Sequence, residues 1–301
     1  LFRKYSDDVA GFNQIALRKP KRHHLKLNGY ANREIPAMKV ISLLNEKGGV
    51  GKTTLSVHAA AGLAIKGYRV LLIDADAQGH ATIALGRRKE PGFYDLIVRD
   101  APFDEVLRRI PPQRYATEQQ ANNMGKGDLY LVPSNVETRS ISQNISDAFA
   151  VLKRVMQLRE AIDVVIFDTS PTPSLTHASI YMATDAIVMP TKLEAWSFDG
   201  LRESMAHKDQ FQPIREQYQL GSIKLFGIVP TLYRRGTLEQ ETNLEVLRKR
   251  FGERVWSPIP MRTIWSEAAT AKRTVFALAP GSKTEADAWR YVNKMEEALH
   301  V

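Results

Sequence analysis

The stretch Lys39–Thr54, KVISLLNEKGGVGKTT, constrains the fold of this chain more than any other. It begins with an apolar, β-branched run, passes through three glycines within four residues, and continues from Lys52 as a helix-compatible run. Glycines adopt positive φ easily and let backbone N–H groups approach a ligand closely. A strand, a glycine-rich turn and a helix N-terminus in this order form a cradle for phosphate groups.

The residues of this turn have distinct expected roles. A lysine at the position of Lys52 reaches the β- and γ-phosphates, and a hydroxyl at Thr53 can hold Mg²⁺. ATP and Mg²⁺ are therefore the expected ligands. One detail departs from the ordinary GxxxxGK[ST] loop, because Glu46 stands in place of its first glycine and Lys47 follows. The nucleotide-binding candidates here are Lys47, Gly48, Gly49, Val50, Gly51, Lys52, Thr53 and Thr54.

The two-lysine loop KGGVGKT resembles the deviant Walker A motif of the ParA/MinD family of P-loop ATPases. In that family the first lysine, here Lys47, reaches across a dimer to the partner's nucleotide. The resemblance thus implies a catalytic Lys47 and a homodimer that forms when ATP is bound. The residues alone leave two other possibilities open, namely that Lys47 is simply solvated or binds the phosphates of its own subunit.

Carboxylates follow two further apolar strands. Asp74 and Asp76 follow RVLLID, and Asp168 ends DVVIFD. An acid at the end of a buried strand is how a P-loop enzyme places a carboxylate beside Mg²⁺. The segments beginning at Asp74 and Asp168 resemble the DxDPQG and DTPP segments of the same family. The resemblance implies that Asp76 orients or activates the attacking water and that Asp168 supports the metal through water, together with Thr53. A single aspartate after a strand could also be an ordinary loop-opening cap.

Two groups in the carboxyl-terminal third are assigned by the same resemblance. Pro230, Thr231 and Pro260 match segments that approach adenine, although a proline-opened loop is the ordinary alternative. The family also places its nonspecific DNA surface in this third, where single basic residues could equally be ordinary solvated side chains. The DNA-binding candidates are Arg234, Arg235, Arg262, Lys272 and Arg273.

Composition limits the class of protein. The 301 residues contain no cysteine, which excludes disulfides, zinc ribbons and iron–sulfur clusters and fits a reducing cytoplasm. The net charge is +9, of which +5 falls in residues 1–37. We interpret residues 1–37 as a basic, flexible N-terminal extension, with a nucleic-acid arm as the alternative, and 38–301 as a single P-loop ATPase domain. No run of 18 apolar residues occurs, so no membrane span is expected.

The alternation of strands and helices predicts an α/β fold with one doubly wound, mostly parallel sheet flanked by helices. The helices in question include FDEVLRRI at 103–110, a long helix across Ile141–Met156, and one over 197–212. Capping boxes are predicted at Thr237 with Gln240 and at Ser282 with Glu285. The polar stretch Thr117–Gly127 is predicted to be a surface loop.

The resemblance favours a ParA-type partition ATPase that coats nucleoid DNA without base readout. A ParB-like partner would stimulate its slow hydrolysis, and the protein would be cytoplasmic and nucleoid-associated. The alternatives are a MinD-like positioning ATPase on a membrane and a ParA-like protein that positions a protein cargo. MinD-like proteins finish in a basic amphipathic helix, whereas the last segment here, TEADAWRYVNKMEEALHV, carries four acids and is predicted to be a packing helix.

Overall fold

The computed structural model describes residues 38–194 and 197–300. Within them, the apolar runs form a seven-stranded sheet. Its strands are β1 (Lys39–Leu43), β2 (Arg69–Ala75), β3 (Arg108–Arg109), β4 (Asp128–Val132), β5 (Val164–Thr169), β6 (Ala186–Lys192) and β7 (Lys224–Thr231).

The strand order is β3-β4-β2-β5-β1-β6-β7, and every neighbouring pair is parallel except β3 with β4. Strands β2 and β5 are buried along their whole length, as expected for parallel strands covered by helices on both faces. The predicted doubly wound, mostly parallel sheet is therefore confirmed. Because β1 and β2 both pair with β5, the carboxyl ends of these three strands lie side by side.

Helices connect the strands and cover the sheet. In the described residues they are α1 (Lys52–Ile65), α2 (His80–Ala84), α3 (Phe93–Val98), α4 (Phe103–Val106), α5 (Glu118–Asn123), α6 (Ile141–Asn144), α7 (Ala150–Val155), α8 (Leu175–Ala183), α9 (Ser197–Gln217), α10 (Leu238–Phe251), α11 (Ile264–Thr270), α12 (Val275–Leu278) and α13 (Lys283–Leu299).

Helix α13 is the packing helix that the sequence predicts. Its buried face, which includes Tyr291 and Val292, belongs to the same apolar core as α1. A salt bridge of 2.7 Å between Lys66 and Glu296 adds a polar contact at the end of α1. The Ser282 hydroxyl accepts a hydrogen bond from the Glu285 N–H at 3.1 Å, but the Glu285 carboxylate accepts the Gly281 N–H instead of that of Ser282. The N-cap is therefore present, whereas the predicted reciprocal capping box is not. None of the helices within the described residues is long and apolar enough to cross a bilayer.

Two predictions between β2 and β4 were wrong. The segment FDEVLRRI is helical only to Val106, because Arg108–Arg109 pairs with β4 as an antiparallel edge strand. The stretch Thr117–Gly127 is not simply a loop, since it contains α5. Thr117 and Gln120 form a reciprocal capping box there, with the Gln120 N–H donating to the Thr117 hydroxyl at 3.2 Å. The sequence contains this N-cap pattern, but the many polar residues of the segment led to the prediction of a loop.

The long helix predicted across Ile141–Met156 is also wrong, because the chain forms the short helices α6 and α7 instead. Asp147 lies between them, and its carboxylate accepts a hydrogen bond from the Phe149 N–H at 2.7 Å. The apolar spacing was correct for a buried face, but a side-chain turn at Asp147 competes with a continuous helix.

At α10, the predicted capping box is absent. Thr237 occupies the N-cap position without a side-chain hydrogen bond, and Gln240 accepts instead from the Arg234 N–H at 2.8 Å. Helix α9 runs to Gln217 rather than to residue 212, with Pro213 inside it. The predicted extension over residues 1–37 lies outside the described residues, so its role remains a prediction.

Candidate nucleotide-binding site

The turn between β1 and α1 has the backbone shape that a phosphate cradle requires. Gly49 and Gly51 have φ values of 67° and 86°, which side chains with a Cβ rarely adopt. Gly51 is the N-cap of α1, and its carbonyl accepts the Leu55 N–H at 3.0 Å. The turn therefore leads directly into the positive end of a 14-residue helix.

Lys52 is held over this turn. Its ammonium donates to the carbonyl oxygen of Asn45 at 2.8 Å and to that of Lys47 at 3.0 Å. Burial lowers the pKa of Lys52, whereas the charges of Asp168 and Asp76 oppose that shift. The lysine is thus fixed at the mouth of the turn with two carboxylates nearby.

Asp74 and Asp168 face each other across paired strands, because the register of β2 and β5 aligns them. Both are fully buried. Burial raises the pKa of each carboxyl, and the proximity of the other charge adds to the rise for Asp168. Asp74 accepts hydrogen bonds from the backbone N–H and the hydroxyl of Thr82, at 2.8 and 2.7 Å. The hydrogen bonds of Asp74 are therefore made within the protein.

Asp168 has a different environment, which fits a magnesium site. One of its oxygens, Oδ1, accepts the Ser56 hydroxyl at 3.0 Å, and the nearby Thr53 hydroxyl opposes the rise in the pKa of this carboxyl. Its other oxygen, Oδ2, is buried and has no hydrogen-bond partner among the described residues. A carboxylate oxygen left open beside a threonine hydroxyl is the donor set that a hydrated Mg²⁺ prefers.

Asp76 lies on the loop after β2 and is partly exposed. Its Oδ1 accepts the Gln78 N–H at 2.9 Å, and its carbonyl oxygen accepts the Ser134 hydroxyl at 2.7 Å. These contacts fix the loop and leave the carboxylate at the surface of the site. From there its negative charge opposes the lowering of the pKa of Lys52.

Lys47 is placed at the rim of the turn. Its ammonium lies 3.9 Å from the exposed carboxylate of Glu194, and its backbone N–H donates to the Asn45 side chain at 2.8 Å. The same Asn45 side chain donates to the Pro190 carbonyl oxygen at 2.7 Å. Asn45 therefore ties the turn to the end of β6, a role that sequence reasoning missed.

The adenine candidates are brought together beside the turn. The single proton of the Thr231 hydroxyl is shared between the carbonyl oxygens of Val50 and Thr191, at 2.8 and 3.1 Å, so Thr231 links the turn to the end of β6. The Ile259 N–H donates to the Pro230 carbonyl oxygen at 2.8 Å, which brings the segment containing Pro260 against the end of β7. The contact of Thr231 with Val50 was not foreseen, because nothing in the sequence links the two segments.

The DNA candidates divide into two groups. Arg234, Arg235 and Lys272 are exposed. Arg262 instead pairs with Asp287 at 2.9 Å, and Arg273 donates to the Ala277 carbonyl oxygen at 2.6 Å. Arg262 and Arg273 therefore have structural partners that the sequence did not indicate.

Comparison with known proteins supports the geometry. A family model described as an AAA domain matches residues 38–219. The chain is 30% identical over 243 residues to the chromosome-partitioning ATPase Soj of Thermus thermophilus, covering 80% of this chain and 89% of that protein. It resembles the solved structure of apo McdA from Cyanothece with a TM-score of 0.72 and 18% identity, over 87% of this chain and 99% of that one.

A second solved structure contains the expected ligands. Cobyrinic acid a,c-diamide synthase from Mycobacterium smegmatis, with a bound ATP analog and magnesium, matches with a TM-score of 0.63 and 25% identity, over 78% of this chain and 91% of that one. ATP and Mg²⁺ are thus supported as ligands of this fold. We conclude from the two-lysine turn, the aligned carboxylates and these similarities that the chain belongs to the ParA/MinD-type family of P-loop ATPases.

Proposed function

We propose that this chain is a ParA-like ATPase that closes into a sandwich dimer around ATP, binds DNA without base readout and segregates plasmid or chromosome DNA. A ParB-like partner would stimulate its slow hydrolysis, and it would act on the nucleoid in the cytoplasm. The observation that carries the proposal is the meeting of a two-lysine phosphate loop with Asp76 and Asp168 at the ends of three adjacent strands. The similarity to Soj supports the partitioning role.

In this proposal, the N–H groups of residues 48–53 and the ammonium of Lys52 bind the phosphates of ATP. Thr53 and, through water, Asp168 would hold Mg²⁺, which neutralises phosphate charge when bound. Pro230, Thr231 and Pro260 would border the adenine. The bond of Thr231 to Val50 and that of the Ile259 N–H to Pro230 support this assignment.

Asp76 would orient the attacking water, because it is the partly exposed carboxylate beside Lys52. Lys47 would neutralise charge on the triphosphate of the second subunit, as an arginine finger does. Two lysines facing two empty sites would repel each other, so this role makes dimerisation depend on ATP. The dimer would be isologous, with the same surface on both subunits.

The DNA surface would begin at the exposed side chains of Arg234, Arg235 and Lys272. Arg262 and Arg273 add positive charge to the same third of the chain while remaining bound to their internal partners. Contacts with phosphates carry no base information, so we expect binding to weaken steeply as salt rises.

Retention on immobilised random-sequence DNA, measured with ATP and with ADP, tests the proposal. We expect retention with ATP only, and a double variant Arg234→Ala/Arg235→Ala should reduce the slope of log affinity against log salt by roughly 2. A matched control is Arg248→Ala/Lys249→Ala, which removes two exposed charges from the end of α10. Unchanged retention with ADP, or an equal loss in the control, would contradict the proposed DNA surface.

Anionic liposomes provide the second arm of the same experiment. The large aliphatic and tyrosine side chains of α13, Tyr291, Val292, Met295 and Leu299, are buried in the core, so they are not available to a lipid surface in this structure. We therefore expect no ATP-dependent pelleting with liposomes. Pelleting with liposomes and no retention on DNA would instead favour a MinD-like positioning ATPase.

A further inference from the structure

Glu46 stands where an ordinary phosphate loop has its first glycine, and the structure gives its side chain a partner. Its Oε1 is in contact with Nδ1 of His207, which lies in the middle of α9. The two side chains are 19% and 36% exposed, so the pair is largely shielded from solvent. A residue 161 positions away in sequence therefore holds the segment that precedes Lys47.

Two further contacts join the same segment to α9. The Glu46 N–H donates to the Ser204 hydroxyl at 3.1 Å, and that buried hydroxyl donates to the Gly200 carbonyl oxygen at 2.8 Å. Gly200 itself allows a close approach, because a Cβ at this position would lie 2.9 Å from the Asn45 side-chain oxygen and 3.2 Å from the Cβ of Lys47. Helix α9 thus presses directly on the start of the turn.

Lys47 is the residue that these contacts surround. Its N–H is bound by the Asn45 side chain, its carbonyl oxygen accepts from the Lys52 ammonium, and its Cβ faces Gly200. Asn45 and α9 therefore fix the backbone and Cβ of Lys47, from which its side chain extends to place the ammonium near Glu194. The N–H groups expected to bind phosphate begin only at residue 48, beyond this segment.

We propose that the Glu46–His207 pair is a positioning contact, which couples α9 to the phosphate loop and fixes Lys47 in the orientation needed for hydrolysis. The proposal rests on the proposed role of Lys47 across the dimer. Glu46 and His207 touch neither the phosphates nor the attacking water in this scheme. They act through Lys47, so their loss should slow turnover and leave nucleotide affinity in place.

Steady-state ATP hydrolysis of four variants tests this role. We expect Glu46→Ala and His207→Ala each to lower kcat roughly tenfold, because a displaced catalytic group loses rate, while KM for ATP stays within about twofold. The double variant should be no slower than either single one, since both changes break the same contact. His207→Asn should restore most of the rate, because its side-chain nitrogen takes the place of Nδ1 and can still donate to the Glu46 carboxylate.

Arg202→Ala is the matched control, because it removes an exposed ion pair with Asp199 from the same helix without touching the turn. It should leave kcat unchanged. Thermal unfolding of every variant should stay close to that of the wild type. A rise in KM that accounts for the whole effect, additive losses in the double variant, or no rescue by His207→Asn would overturn the positioning role.

Lys47→Ala separates this proposal from the one on which it rests. If Lys47→Ala is slow while Glu46→Ala and His207→Ala turn over normally, the positioning contact is disproved and the role of Lys47 stands. If Lys47→Ala itself turns over at the wild-type rate, the role of Lys47 across the dimer fails, whatever the other variants do.

Discussion

Asp74 and Asp76 are two residues apart, yet their carboxylates lie in different surroundings. Asp74 is buried and bonded twice to Thr82, whereas Asp76 is partly exposed near Lys52. We expect Asp76→Ala to abolish turnover while changing the free energy of unfolding by less than about 0.5 kcal/mol. Asp74→Ala should lower that free energy by roughly 2 kcal/mol, because it leaves two buried Thr82 donors unpaired. Urea unfolding measures the free energy of unfolding of the two variants, and steady-state ATP hydrolysis measures their turnover. A fully active Asp76→Ala would remove this residue from the mechanism.

At this scale, the sequence could predict the residues whose spacing is local. Lys52 and Thr53 follow from the loop pattern, because their geometry depends on a few neighbouring residues. The contacts that Asn45 and Thr231 make with Pro190 and Val50 could not be predicted, since they join segments 145 and 181 positions apart. Only the folded sheet brings those segments together.

Helix α9 extends further along the chain than the sequence predicts. The predicted helix ended at residue 212, directly before Pro213, which lacks an N–H and usually ends or kinks a helix. The helix continues to Gln217 because Arg215, only 2% exposed, anchors its last turn. The Arg215 guanidinium donates to four carbonyl oxygens, those of Tyr181, Met182, Leu220 and Gly221.

Removing this anchor should destabilise the protein. We expect Arg215→Met to lower the free energy of unfolding by about 3 kcal/mol, because the aliphatic volume is kept but four carbonyl groups lose their donor. Arg202→Ala, on the exposed side of the same helix, should cost no more than about 0.5 kcal/mol. Urea unfolding of both variants makes the comparison. Equal stability of Arg215→Met and the wild type would show that α9 is held by its apolar contacts alone.

For the whole molecule, the mostly parallel sheet flanked by helices was the best-predicted feature and packing between distant helices the least. Continuous apolar strands alternating with helices are enough to predict a covered parallel sheet. They do not show that α12, near the end of the chain, packs on α1. The connection is made by His58, whose Nδ1 bonds the Thr54 carbonyl oxygen at 2.7 Å and whose Nε2 accepts the Val275 N–H at 3.1 Å.

This connection makes the stability of the molecule depend on pH. Burial lowers the pKa of His58 to about 4, and the bond from Val275 requires a neutral Nε2. An unfolded histidine titrates near 6.5. Between those values the unfolded chain binds a proton that the folded chain does not, so His58 favours folding above about pH 6.5 and loses that contribution as pH falls towards 4. The loss between pH 7.5 and 4.5 should be roughly 2 to 3 kcal/mol.

The carboxyls of Asp74 and Asp168 act in the opposite direction, because their raised pKa values favour proton uptake by the folded chain as pH falls. His58→Gln isolates the histidine, since an amide can donate and accept hydrogen bonds but does not titrate in this range. Urea unfolding at a series of pH values should show the wild type losing its advantage over His58→Gln as pH falls from 7.5 to 4.5. If the difference in free energy of unfolding between the two proteins stays constant over this range, folding does not lower the pKa of His58. The bond between α1 and α12 would then not be sensitive to protons.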